Sequence, residues 1–172
     1  MQQLPESKFI TTELLDEILA QEKDAWTQKY INEGKRTAVV ILVLDPSKPL
    51  GISPEPVKLW SATLGQQDRE QWPKNRNWDK YVFAKARAAW RTCMSNHNML
   101  MNPEIIAKGD FKYEGGIYVS GGLVIAVSGL AKAPDDTGLA SEFHFKITSK
   151  VSALQEKSKE EVDLENDGTF FF

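Results

Sequence analysis

Between Tyr113 and Asp136 the chain carries two glycine pairs, Gly115-Gly116 and Gly121-Gly122. An apolar run follows at residues 123–127, closed by Ser128-Gly129, and then the acidic pair Asp135-Asp136. No other segment limits the fold as much. A glycine pair lets the backbone turn where a Cβ would obstruct it, and lets another segment or a ligand come close. The segment reads as turn, short strand, turn, buried strand and acidic helix start. On local physics alone, two ordinary hairpin turns are the favoured reading of the glycines.

The upstream half supplies the rest of the architecture. From Thr12 to about Asn32, Leu14, Leu15, Ile18, Leu19, Ala25, Trp26 and Tyr30 recur at helical spacing. Thr11 or Thr12 suits the cap, and Gly34 the stop. Residues 37–44 are almost continuously apolar and β-branched, the mark of a strand buried on both faces. Five prolines and glycines between 46 and 56 make a loop that cannot be helical. Residues 57–64 read as a second strand, with Trp60, Ala62 and Leu64 on one side. Asn77 can cap a long helix to about Asn96, with Val82, Ala86, Ala89 and Cys93 as its apolar stripe. Short strands are expected near 111–113, 116–119 and 123–130, and a last helix from Asp135 to about Glu156. The order α, β, β, α, β, β, α with short links implies antiparallel pairing between helical layers.

The chain has 172 residues, which suits one domain with a sizeable core. The core is expected over about 12–155, with a charged tail at 157–172 that ends in Phe170, Phe171 and Phe172. One cysteine rules out an internal disulfide and fits a reducing, cytoplasmic compartment. Neither a signal peptide nor a membrane-spanning segment is expected. A net charge of −3 argues against nucleic-acid binding. The basic cluster from Lys74 to Arg91 reads mostly as a solvated helix face.

Catalytic patterns are weak. Cys93 falls on an apolar helical stripe, the position of a buried structural thiol. Ser128 lacks the flanks of a nucleophile elbow. His97 and His144 lie far apart with no ligand partner at helical spacing, so no metal site is expected. Asp135 and Asp136 suit a helix start. Glu114 sits at the mouth of a glycine turn. Trp60, Trp72, Trp78, Tyr81 and Trp90 concentrate in one unit, as core, pocket wall or interface.

These features in order resemble the GlcG/HbpS-like, or heme-degrading domain, family and its small stand-alone branch. The matching residues are the strand ending in Asp45, Leu59-Trp60, Leu64-Gly65, Asn75-x-Asn77-Trp78 and Lys85. Gly115-Gly116-Ile117, the strand 122–130 and Asp135-Asp136 complete them. The resemblance implies an α+β, profilin-like three-layer α/β/α domain with a five-stranded antiparallel sheet. It also implies homo-oligomers and, in some members, heme binding or degradation. The chain departs from the branch at Glu114 and Asp136, where histidines are usual, and at Tyr118, where proline is.

The expected function is non-catalytic small-molecule binding, with heme or another tetrapyrrole as a candidate ligand, by a homo-oligomer. The pocket is expected between the Trp78 helix, the Glu114-Gly115-Gly116 turn and the Ser128-Gly129 strand end. Lys85 and Asp135 are its further polar contacts. A heme-degrading or redox enzyme and a ligand-free interaction scaffold are the alternatives.

Overall fold

The computed structural model describes residues 6–119 and 121–160. Helix α1 (Thr12–Trp26) starts where the Thr11 hydroxyl accepts from the Leu14 N–H, and it runs on as a π-helical segment, Thr27–Asn32. Strands β1 (Ala38–Leu44) and β2 (Lys58–Gly65) follow, then α2 (Trp78–Thr92) and the short α3 (Asn96–Leu100). Strands β3 (Gly116–Val119) and β4 (Leu123–Ser128) lead into the long α4 (Ala133–Glu160). The four strands form one antiparallel sheet in the order β2-β1-β4-β3.

Strand β1 is the spine because all seven of its residues are buried. Its side chains alternate, as strand geometry requires. Val39, Ile41 and Val43 join a core built with α1 and α4. Ala38, Val40, Leu42 and Leu44 join a second core against α2. The sheet therefore has a helical layer on each face.

The first core is aromatic at its centre. Phe143 meets Trp26 edge-on at 5.6 Å between ring centroids and Trp60 at 5.4 Å. Both indoles are paired: Trp26 donates to Glu142 and Trp60 to Asp16, each at 2.8 Å. Glu142 also accepts from Lys29 and from the Tyr30 hydroxyl on the π-helical segment.

Two expectations need correction. The sheet has four strands among the described residues, not five, and residues 111–113 are not a strand. Two side chains occupy the place beside β3. Asn96 accepts from the Gly116 N–H at 2.8 Å, and Ser95 accepts from the Tyr118 N–H at 3.2 Å. Cys93 is exposed rather than buried, because α2 stops at Thr92 and Cys93 caps it in the left-handed region (φ 52°). Lys85, part of the basic cluster but expected as a pocket contact, is buried among the α2 core residues. The expected tail contacts of Phe170–Phe172 fall outside the described residues.

Candidate functional site

Asn77 starts α2 by accepting the Lys80 N–H at 2.9 Å. Helical spacing then puts Trp78, Tyr81 and Lys85 on the side that faces the end of β4. Residues 111–113 cross in front of this helix. Phe111 stacks on Tyr81 at 4.8 Å, and Tyr113 meets Phe111 edge-on at 5.4 Å. From the opposite side, Arg36 reaches over from the segment before β1. It donates to the carbonyls of Gly129 at 2.9 Å and Leu130 at 3.3 Å. A cavity of about 300 Å³ lies between these parts. Its remaining wall comes from Arg76, Ser128 and the turn into α4, including Asp136.

Lys85 and Asp136 form the inner wall. Their side chains are 1% and 6% exposed and meet at 2.7 Å. Lys85 also donates to the Val127 carbonyl at 3.0 Å, while Asp136 accepts the Leu130 N–H at 3.0 Å. Burial pushes the Lys85 ammonium down and the Asp136 carboxyl up, and each group opposes the shift of the other. With both carboxylate oxygens and two ammonium protons bonded, the pair is satisfied as a charged pair. Gly115 makes this crossing fit. Its φ is +129°, and a Cβ there would stand 2.6 Å from the Val127 carbonyl oxygen and 2.7 Å from Lys85 Nζ.

Two polar groups on the wall have no protein partner. The Ser128 side chain is 3% exposed and its hydroxyl makes no hydrogen bond among the described residues. Trp78 is 6% exposed and its indole N–H is also unpaired, whereas the other four tryptophans donate to Glu142, Asp16, Gln66 or Lys48. No fully buried side-chain nitrogen or oxygen in the described residues lacks a partner. Both groups therefore open onto accessible space. The Arg76 guanidinium on the same wall makes no hydrogen bond or ion pair among the described residues.

The structure brings Trp78, Lys85, Ser128 and Gly129 together on one wall. It places Glu114, Gly115 and Gly116 behind that wall. Glu114 pairs with His97 at 3.1 Å and accepts from Thr137. A Cβ on Gly116 would meet Asn96 Oδ1 at 2.5 Å. Asp135 lies on a neighbouring recess with Lys29, Tyr30 and Arg36.

Arg36, Arg76, Asn96 and the inward role of Asp136 were not anticipated. One signal for Asp136 was present in the spacing. Asp136, Leu139, Ala140, Phe143 and Ile147 share one helical face and are all buried, whereas Asp135 is off it. Nothing in the spacing marks Asn96, whose amide joins the Lys85 carbonyl to β3 across the chain.

No family model matches the chain, and no curated protein matches it by sequence. Solved structures similar in backbone include the following two. The crystal structure of HbpS has a TM-score of 0.52 at 16% identity, covering 83% of this chain and 93% of that one. The crystal structure of the Ybr137w protein has a TM-score of 0.51 at 15% identity, covering 90% of this chain and 83% of that one. At such identity the likeness concerns the path of the chain rather than the side chains of a site. The protein is built on the HbpS-like fold.

Proposed function

We propose that this protein binds a small molecule in the cavity between α2, residues 111–113 and the β4–α4 junction. It holds that molecule without transforming it, and it assembles with copies of itself in the cytoplasm. The observation that carries the reading is the pair of unpaired, nearly buried groups, the Ser128 hydroxyl and the Trp78 indole N–H, on one aromatic wall. Polar atoms that reach a recess and have no protein partner are free to bond what enters it, and two of them on a concave wall favour a ligand. Binding without chemistry fits the same wall. Ser128 has no base in hydrogen-bond contact, and Lys85 and Asp136 are taken up by one another. Self-assembly is supported by the exposed side chains of Phe83, Met94, Met101 and Ile106, all from α2 to the segment after α3.

The resemblance to HbpS-like proteins brings heme forward as a ligand, and the residues present do not fit it. His97, His144 and Cys93 all lie off the cavity wall. Among the described residues on that wall, the side chain of an iron-binding type whose polar atom has no protein partner is the exposed Tyr113. A cavity of about 300 Å³ is also at the small end of ligand pockets, roughly 300–1,000 Å³, and does not enclose a macrocycle.

The test is a panel of small aromatic acids, bases and neutral compounds, with hemin as one member. Binding is read from the Trp78 indole N–H resonance, assigned with Trp78→Phe, and from thermal unfolding. At least one small member is expected to shift that resonance saturably and to be recovered unchanged. Silence from the whole panel overturns the binding reading. A product appearing in the recovered compound overturns the non-catalytic one. Light scattering reads the assembly, and a monomer mass at working concentration overturns that part.

A further inference from the structure

We infer that the ligand of this cavity is a small planar monoanion, an aromatic ring carrying one carboxylate. The inference rests on the cavity being a binding site and goes on to name what it takes. The first observation is charge. The wall carries the cations Arg36, Arg76 and Lys85 against the single carboxylate of Asp136, which leaves it two charges positive. The chain as a whole carries −3. An acidic protein that gathers positive charge in one recess selects for anions there.

The second observation is the chemistry of the groups left open. Arg76 offers a guanidinium with no protein partner, and Trp78 offers only an N–H. The Ser128 hydroxyl can donate as well. The one acid on the wall is already saturated, with Oδ2 on Lys85 and Oδ1 on the Leu130 N–H. A cationic ligand would find no free acid to pair with. A carboxylate would find three donors, one of them in the fork geometry that matches its two oxygens.

The third observation is shape. Tyr81 and Phe111 stack with ring planes 23° apart, and Trp78 lies on the same wall. Flat rings beside a recess of this size favour a flat, compact partner. Arg36 is tied to the Gly129 and Leu130 carbonyls through Nε and Nη2, so it sets the field of the recess more than it follows the ligand. Arg76 is exposed and untied, and is the group that closes on the anion.

The experiment uses matched probes: benzoate and 1-naphthoate against benzylamine, 1-naphthylmethylamine and benzyl alcohol, with inorganic phosphate as a ring-free anion. Affinity is measured by calorimetry, and location by the Trp78 indole resonance. The acids are expected to bind at least about tenfold more tightly than the matched amines, the scale of one charge-assisted hydrogen bond. Arg76→Ala should weaken the acids about tenfold to a hundredfold and leave benzyl alcohol unchanged. Arg76 is at the surface, so the fold survives this change, and Ser128→Ala provides an independent second variant. Amines or benzyl alcohol binding at Trp78 as well as the acids overturns the ligand class and leaves the binding site standing. Phosphate matching the acids overturns the requirement for a ring. No shift at Trp78 from any probe of any charge overturns both.

Discussion

The two faces of the sheet are built from alternate residues of the same strands, yet they end differently. On the α1–α4 face, both central indoles have acceptors, the Glu142 carboxylate receives three donors, and the rings close around Phe143. On the α2 face, the core is equally apolar near β1 but opens toward the end of β4, where an ion pair lies beneath unpaired donors. A face whose central polar groups are matched gives stability. An open face with matched charges and unmatched donors leaves binding capacity, because the missing partners must come from outside.

The contrast predicts where changes will hurt. Phe143→Ala empties the centre of the closed face and should cost about 4 kcal/mol of unfolding free energy by denaturant titration. Ligand affinity should be unchanged in the folded fraction, and a parallel loss of affinity would show the faces are not separate. Lys85→Met strands the Asp136 carboxylate and should cost about 3 kcal/mol, most of it restored by adding Asp136→Leu. No recovery in the double variant would mean that the pair does more than neutralise itself. Trp78→Phe loses no protein hydrogen bond but shrinks a ring packed on Trp72 at 4.7 Å, so a packing cost of about 1–2 kcal/mol is expected. Its effect should also appear in binding.

A smaller effect depends on pH. Burial pushes the Glu142 carboxyl up, but hydrogen bonds from Trp26, Tyr30 and Lys29 outweigh that and hold it below its ordinary value. A lowered acid contributes stability that is complete above its unfolded value and fades as pH falls through its folded one. Glu142→Gln should therefore cost about 1 kcal/mol at neutral pH, discounted for its partial exposure, with the gap to wild type closing under acid. An equal gap at pH 7 and pH 3 would refute the assignment.

How much of this was readable depended on the range of the forces. Strand β1 was plain because residues buried on both faces leave an unbroken apolar run. The cap at Asn77, and the first cap to within Thr11 or Thr12, were readable because caps act within three residues. The union of Trp78, Lys85, Ser128 and Gly129 followed from the order of elements and the family resemblance. The missing fifth strand was hidden because Ser95 and Asn96 take its place with side chains, and no periodicity reports that. Arg36 and Arg76 were hidden because a surface arginine looks the same whether it faces open water or a recess. The choice of Asp135 over Asp136 turned on one residue of helical phase.

The edge of β3, closed by Ser95 and Asn96, has a counterpart across the sheet. On β2 the Gln67 amide covers the carbonyls of Thr63 and Gly65 at 2.8 and 3.0 Å. Exposed strand edges are the usual template on which proteins add to one another without limit. Here side chains hem the sheet along β3 and along the end of β2, and Lys58 stands exposed at the start of β2. A second copy therefore finds little free backbone at these places on which to add a strand.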